Sequence, residues 1–171
     1  MPISSHLQKI TATHCALALI LIALATITGA WIFEYFGYLP CELCLKQRIA
    51  YYVGVPLAIV LYASLSIQSA LLSRIGFALL SLLWLASCGF GIYHSGVEWQ
   101  FWPGPTDCTG SLTKAPSITD FLQQLESVKV VRCDAVAIRI LGLSLAGWNA
   151  VISFSMAMIA ALGFIKTSAQ P

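Results

Sequence analysis

Four stretches of this chain, 11–33, 49–73, 75–97 and 140–165, contain no Asp, Glu, Lys or Arg. Each exceeds the roughly 20 residues that a helix needs to cross the hydrocarbon core of a bilayer. Lipid offers the backbone no hydrogen-bond partners, so an apolar run of that length is held as helix. The pattern predicts an all-α membrane protein, a four-transmembrane-helix bundle. Composition agrees: charged residues are 9% of the chain, hydrophobic residues 58% and the mean hydropathy is +0.84, where soluble domains carry about 25% charge. A formal net charge of +2 argues for no nucleic-acid partner.

The 171 residues form a single membrane domain, 1–171, with helices expected at about 12–33, 44–66, 74–94 and 142–165. The loops between them, about 34–43 and 95–141, hold Cys41, Cys108 and Cys133, and Cys44 opens the second helix, so four of the six cysteines lie at the loops. The first apolar stretch, with Lys9 before it and Thr28, Gly29 and Ala30 near its end, has some features of a signal peptide. Its run is longer than the about 7–15 residues of such a core, and a retained helix is expected.

An even number of spans puts both termini on one side of the membrane. The loop with Cys41 and Cys44 and the loop with Cys108 and Cys133 then share the other side. If these thiols form disulfides, that compartment is oxidising, which in a bacterium is the periplasm. Both termini are then expected on the cytoplasmic side. Lys and Arg counts point the other way: Lys9, Arg74 and Lys166 lie on the termini side, against Lys46, Arg48, Lys114, Lys129, Arg132 and Arg139. The cysteines decide the orientation here.

Trp31, Phe33, Tyr35, Phe36 and Tyr38 make an aromatic belt where the first span leaves the hydrocarbon. Pro40 suits a helix start, so the second helix begins near Cys41 to Cys44. Unpaired amides at that start favour a thiolate. Arg48, four residues after Cys44, adds a positive charge on the same face. Ala86, Ser87, Cys88, Gly89 and Gly91 allow another helix to approach the third span closely. In the long loop, 101–105 is a stiff aromatic turn, and Ser117 with Asp120 forms a capping box. Ile118, Phe121, Leu122, Leu125 and Val128 then predict a short amphipathic helix on the membrane surface. Asn149, polar inside a span, faces another helix or a ligand.

The Cys41/Cys44 pair could pack inertly, bind zinc or cycle between dithiol and disulfide. A four-cysteine zinc site needs close spacing in both halves, whereas Cys108 and Cys133 are far apart, so no metal is expected. Redox cycling is the favoured reading. Cys108 and Cys133 either staple their loop or exchange with the first pair. Cys15 and Cys88 lie in apolar spans as small buried hydrophobes, and His14 stands alone. A membrane dithiol needs an electron acceptor, and neither a dinucleotide-binding glycine pattern nor a haem-attachment motif is present. A membrane-dissolved quinone is the acceptor its location suggests. Arg48 would favour the negative charge developing on it, unless it is simply an arginine snorkelling to the interface.

At these residues the chain resembles the disulfide bond formation protein B (DsbB) family. The likeness rests on Pro40, Cys41 and Cys44 with Arg48 following, and on Tyr93 and His94 leading through Phe101-Trp102-Pro103-Gly104-Pro105 to Cys108. It also rests on Cys133-Asp134 leading to the 141–149 segment. The resemblance implies a protein-dithiol:quinone oxidoreductase that reoxidises a DsbA-like periplasmic thiol oxidase and passes electrons to ubiquinone or menaquinone. It further implies that Cys108 forms the mixed disulfide with that oxidase, Cys133 resolves it and exchanges with Cys41, and Cys44 meets the quinone beside Arg48 and near His94. Some family members carry an acidic residue at the position of Gln47, which alters the setting of Arg48. The alternatives are a vitamin K epoxide reductase-like enzyme, against which the 133–149 segment argues, and a non-catalytic scaffold stapled by disulfides.

Overall fold

The computed structural model describes residues 11–105, 117–118 and 131–168. Its four helices are α1 (Ala12–Tyr35), α2 (Glu42–Ser66), α3 (Ala70–Glu98) and α4 (Leu145–Ser168), with a hairpin of β1 (Arg139–Ile140) and β2 (Leu143–Ser144) before α4. All four helices are long and apolar enough to cross a membrane, and the chain is an all-α membrane protein with four spans. Each helix packs against its neighbours in sequence, and α1 closes the ring against α4. The expected amphipathic helix after Ser117 falls almost wholly outside the described residues.

Local chemistry sets the helix ends. Thr11 caps α1, its hydroxyl accepting from the His14 amide. After Tyr35 the chain turns through Gly37 at φ +92°, with Gly37 N–H donating to Glu34 O and Tyr38 N–H to Phe33 O. That two-bond closure wants a left-handed residue, which glycine adopts without a side-chain clash. The turn delivers Pro40 and Cys41 to the start of α2. Cys41 is itself the N-cap, its Sγ accepting from the Cys44 amide at 3.2 Å. The α2–α3 connection takes only three residues, which forces an antiparallel pair. α3 runs four residues further at each end than the 74–94 expected and closes with Phe101 N–H donating to Gly96 O. Trp102 then folds back, stacked on Tyr93 with its indole N–H donating to the Tyr93 carbonyl.

One expectation is corrected. The fourth helix was placed from 142, but 139–144 is an antiparallel hairpin pairing Arg139 with Ser144 and Ile140 with Leu143. Leu141 and Gly142 both take positive φ, 52° and 84°, the geometry of the tight turn that joins two twisted strands. Ser144 then caps α4 by accepting from Gly147 N–H. Trp148 Nε1–H donates to the Ile140 carbonyl and ties hairpin to helix.

The bundle is sparsely filled and outwardly greasy, as a bilayer requires. Leu19, Phe77, Leu80, Trp84 and Met156 are fully buried between the helices, while Leu21, Val60 and Leu82 are more than half exposed on the outer face. Lipid is as apolar as leucine, so close contact and hydrogen bonds rather than water exclusion hold such helices together. A Cβ on Gly91 would come within 2.9 Å of the Ala150 backbone nitrogen, so glycine is what lets α3 and α4 touch. Ser87 pairs with Ser153 at 2.9 Å and Tyr51 donates to Asn149 Oδ1 at 2.6 Å across helices. Such bonds contribute on average about 0.6 kcal/mol each. A second, smaller cluster of Cys41, Leu43, Val97 and Cys133 sits at the end of the bundle that carries the cysteine loops.

Candidate functional site

The second cluster and the first two turns of α2 bring the chemistry together. Cys41, 5% exposed, lies with its Sγ 2.6 Å from Cys44 Sγ and 3.6 Å from His94 Nε2. His94 is fully buried on α3. Its Nδ1 is 3.2 Å from Gln47 Nε2, and its Nε2 is 4.0 Å from Glu98 Oε1. With the Gln47 amide donating to Nδ1, the neutral ring carries its proton on Nε2 and can donate it to Cys41. The Cys41 thiol is pulled down to about 5, first by the Cys44 thiol donating to its sulfur and then by His94, against burial that pushes it up. A thiolate at the helix cap is therefore stable well below neutral pH.

Cys133 is disulfide-bonded, 2% exposed and packed in the same cluster as Cys41. Cys108 lies outside the described residues. Cys15 and Cys88 are buried free thiols within the spans. Beside Cys133, the exposed Arg132 and Asp134 form an ion pair at 2.5 Å.

Cys44 faces the other way. It lines a cavity of about 360 Å³ between α1, α2 and α4, with Gln47, Arg48, Tyr51, Trp148 and Asn149 around it and apolar walls from Ile27, Phe33 and Ile152. That volume and lining suit a small, largely apolar molecule recognised by a few polar groups. Arg48 donates from Nη1 to Glu34 Oε2 at 2.5 Å and from Nη2 to the Ala30 carbonyl at 3.4 Å. Asn149 spends its oxygen on Tyr51, but its Nδ2 is buried without a hydrogen-bond partner. A buried amide donor left unmade costs about 1–3 kcal/mol, so a ligand acceptor here would be well received.

The structure thus brings Cys41, Cys44, His94 and Cys133 to one place and Arg48 to the neighbouring cavity. His94 is not among the cavity-lining residues; its ring meets Cys41 instead. Sequence reasoning missed Glu34, Glu98 and Tyr51. Glu34 and Glu98 were detectable as the acids that end the first and third uncharged stretches. Tyr51 follows Arg48 by three residues, on the same face of α2.

A protein-family model described as "Disulfide bond formation protein DsbB" matches residues 12–163. An uncharacterized protein of Rickettsia prowazekii (strain Madrid E) is 30% identical over 144 residues, covering 82% of this chain and 80% of that protein. No solved structure matches the chain.

Proposed function

We propose, from the fact that this chain belongs to the DsbB family of disulfide bond formation proteins, that it is a protein-dithiol:quinone oxidoreductase of the bacterial inner membrane. It reoxidises a DsbA-like periplasmic thiol oxidase and hands the electron pair to ubiquinone or menaquinone, with both termini cytoplasmic. One observation carries this reading: disulfide-bonded Cys133 shares a buried cluster with Cys41, whose sulfur is hydrogen-bonded to that of Cys44, and Cys44 opens on the Arg48 cavity. Three sulfurs in succession lead from the loop to an apolar chamber.

In this scheme the reduced partner's thiolate attacks a Cys108–Cys133 disulfide at Cys108. The partner's second thiol, rather than Cys133 as the resemblance implied, then releases Cys108, because attack by Cys133 would only restore the starting disulfide; one disulfide moves to the partner and two thiols remain here. The Cys133 thiolate attacks Cys41 of a Cys41–Cys44 disulfide, and Cys44 leaves as thiolate on the cavity side. Cys108 attacks Cys133, restoring the loop disulfide and releasing Cys41. His94 Nε2–H lies within reach of Cys41 and stabilises the sulfur as it leaves.

The cavity fits a quinone: apolar walls for the ring, the Asn149 Nδ2 donor for a carbonyl, and Arg48 for negative charge. When bound, the quinone accepts two electrons and two protons. Arg48, held by Glu34, keeps a fixed positive charge beside Cys44, and Ile152 contributes to the apolar wall. The test is quinone reduction by a reduced DsbA-like protein: the Cys44→Ala chain should show none. Turnover surviving that change would defeat the proposal and leave the scaffold reading.

A further inference from the structure

We propose that the dithiol form of the Cys41/Cys44 centre binds one thiophilic divalent cation, of which Zn²⁺ is the type, with His94 and Glu98 completing a four-donor set. Cys41 Sγ, Cys44 Sγ and His94 Nε2 all lie within 4.8 Å of one another and come from two different helices. Glu98 follows His94 by one helical turn, and its Oε1 is 4.0 Å from His94 Nε2. The second Glu98 oxygen is the independent sign: Oε2 is buried with no hydrogen-bond partner, and the side chain is 7% exposed. A buried carboxylate oxygen without a hydrogen-bond partner, one helical turn from the imidazole, is open to a cation. Glu98 lies outside the group formed by Cys41, Cys44 and His94 and would reach that cation by side-chain rotation.

Tetrahedral zinc takes sulfur at about 2.3 Å and nitrogen or oxygen at about 2.0–2.2 Å, which sets its donors on the order of 3.3–3.8 Å apart. The Cys41–His94 separation of 3.6 Å falls in that range, and the two sulfurs need only open from 2.6 Å by side-chain rotation. With its amide turned so that Oε1 accepts from Nδ1–H, Gln47 fixes the ring and leaves Nε2 bare for the metal. The four-cysteine set that the loop spacing argued against is not needed here: two cysteines, one histidine and one glutamate supply the donors, against the expectation of no metal. Coordination forms two metal–sulfur bonds and releases two thiol protons to water; no electron moves. A Cys41–Cys44 disulfide offers no thiolate, so the cation binds the reduced centre alone. By occupying both sulfurs it blocks their reoxidation. That last consequence rests on the oxidoreductase reading, but the binding does not.

The test uses the full-length Cys108→Ala/Cys133→Ala chain in detergent, so that the loop thiols contribute nothing; Cys15 and Cys88 lie apart in the spans. Zn²⁺ is titrated against a chromophoric chelator with the protein reduced and then oxidised. One equivalent is expected for the reduced chain and none for the oxidised one, with Glu98→Gln and His94→Gln each weakening binding about tenfold or more. Failure of the reduced chain to bind, or unchanged affinity in either variant, overturns the site. Glu98→Gln, nearly isosteric, carries the test alone if His94→Gln does not fold. Neither result touches the quinone-reduction test with Cys44→Ala, so the two readings fail separately.

Discussion

The first two turns of α2 have two sides that differ in kind. Toward α3, Cys41 is sealed against His94, Gln47 and Glu98, and its nearest apolar neighbours include Cys133. Toward α1 and α4, Cys44 and Arg48 border an open apolar chamber in which the Asn149 donor has no partner. One side is dry and polar and holds a charged sulfur, with one Glu98 oxygen short of a donor; the other is roomy and short of one acceptor. Three residues of helix separate protein thiol chemistry from small-molecule chemistry. The contrast teaches that a Cys-x-x-Cys pair at a helix start can present its two sulfurs to different partners.

The largest effect that would break the contrast is on the sealed side. Cys41→Ser should bring partner-driven quinone reduction to background while leaving the cavity able to bind a quinone analogue. Loss of analogue binding in that variant would merge the two sides into one. Next comes pH. With the Cys41 thiol depressed to about 5, its thiolate fraction falls only as pH drops through that value, far below the range of a free cysteine. Alkylation of Cys41 in the reduced chain, followed by mass spectrometry, should therefore plateau by neutral pH. Cys44→Ala should move the midpoint upward, because the Cys44 hydrogen bond is the largest cause of the shift. A wild-type midpoint near that of a free thiol would remove the distinction.

On the open side the effects are smaller. Arg48→Gln removes a charged donor worth about 1.5–3 kcal/mol, raising the quinone KM roughly 10- to 100-fold. Cys41 alkylation should be unchanged. Asn149→Leu should raise the same KM only about two- to tenfold, the scale of one neutral hydrogen bond. If either change altered Cys41 reactivity as much as quinone affinity, the two sides would not be independent.

Much of this was legible in the sequence, for physical reasons. Absence of charge over a bilayer's thickness identifies spans, and Pro40 ahead of Cys41 marks a helix start. Bounds were less legible: α3 continues to Glu98 because helices run on past the hydrocarbon. The 139–144 hairpin was missed because Leu141, an apolar residue at positive φ, looks like helix in any hydrophobic pattern. The Arg48–Glu34 pair joins two helices, and no single-segment periodicity reveals it. Which side of α2 His94 meets depends on the rotation of α3 about its axis, so only the fold assigns it to Cys41 rather than to the cavity.

The passage of electrons from loop to chamber depends on Cys133 exchanging with Cys41. A chain carrying Cys44→Ala and Cys108→Ala leaves those two sulfurs without their ordinary partners. Mild oxidation followed by proteolysis and mass spectrometry should then recover a Cys41–Cys133 disulfide in most molecules. Two alkylatable thiols at Cys41 and Cys133 under the same conditions would contradict it.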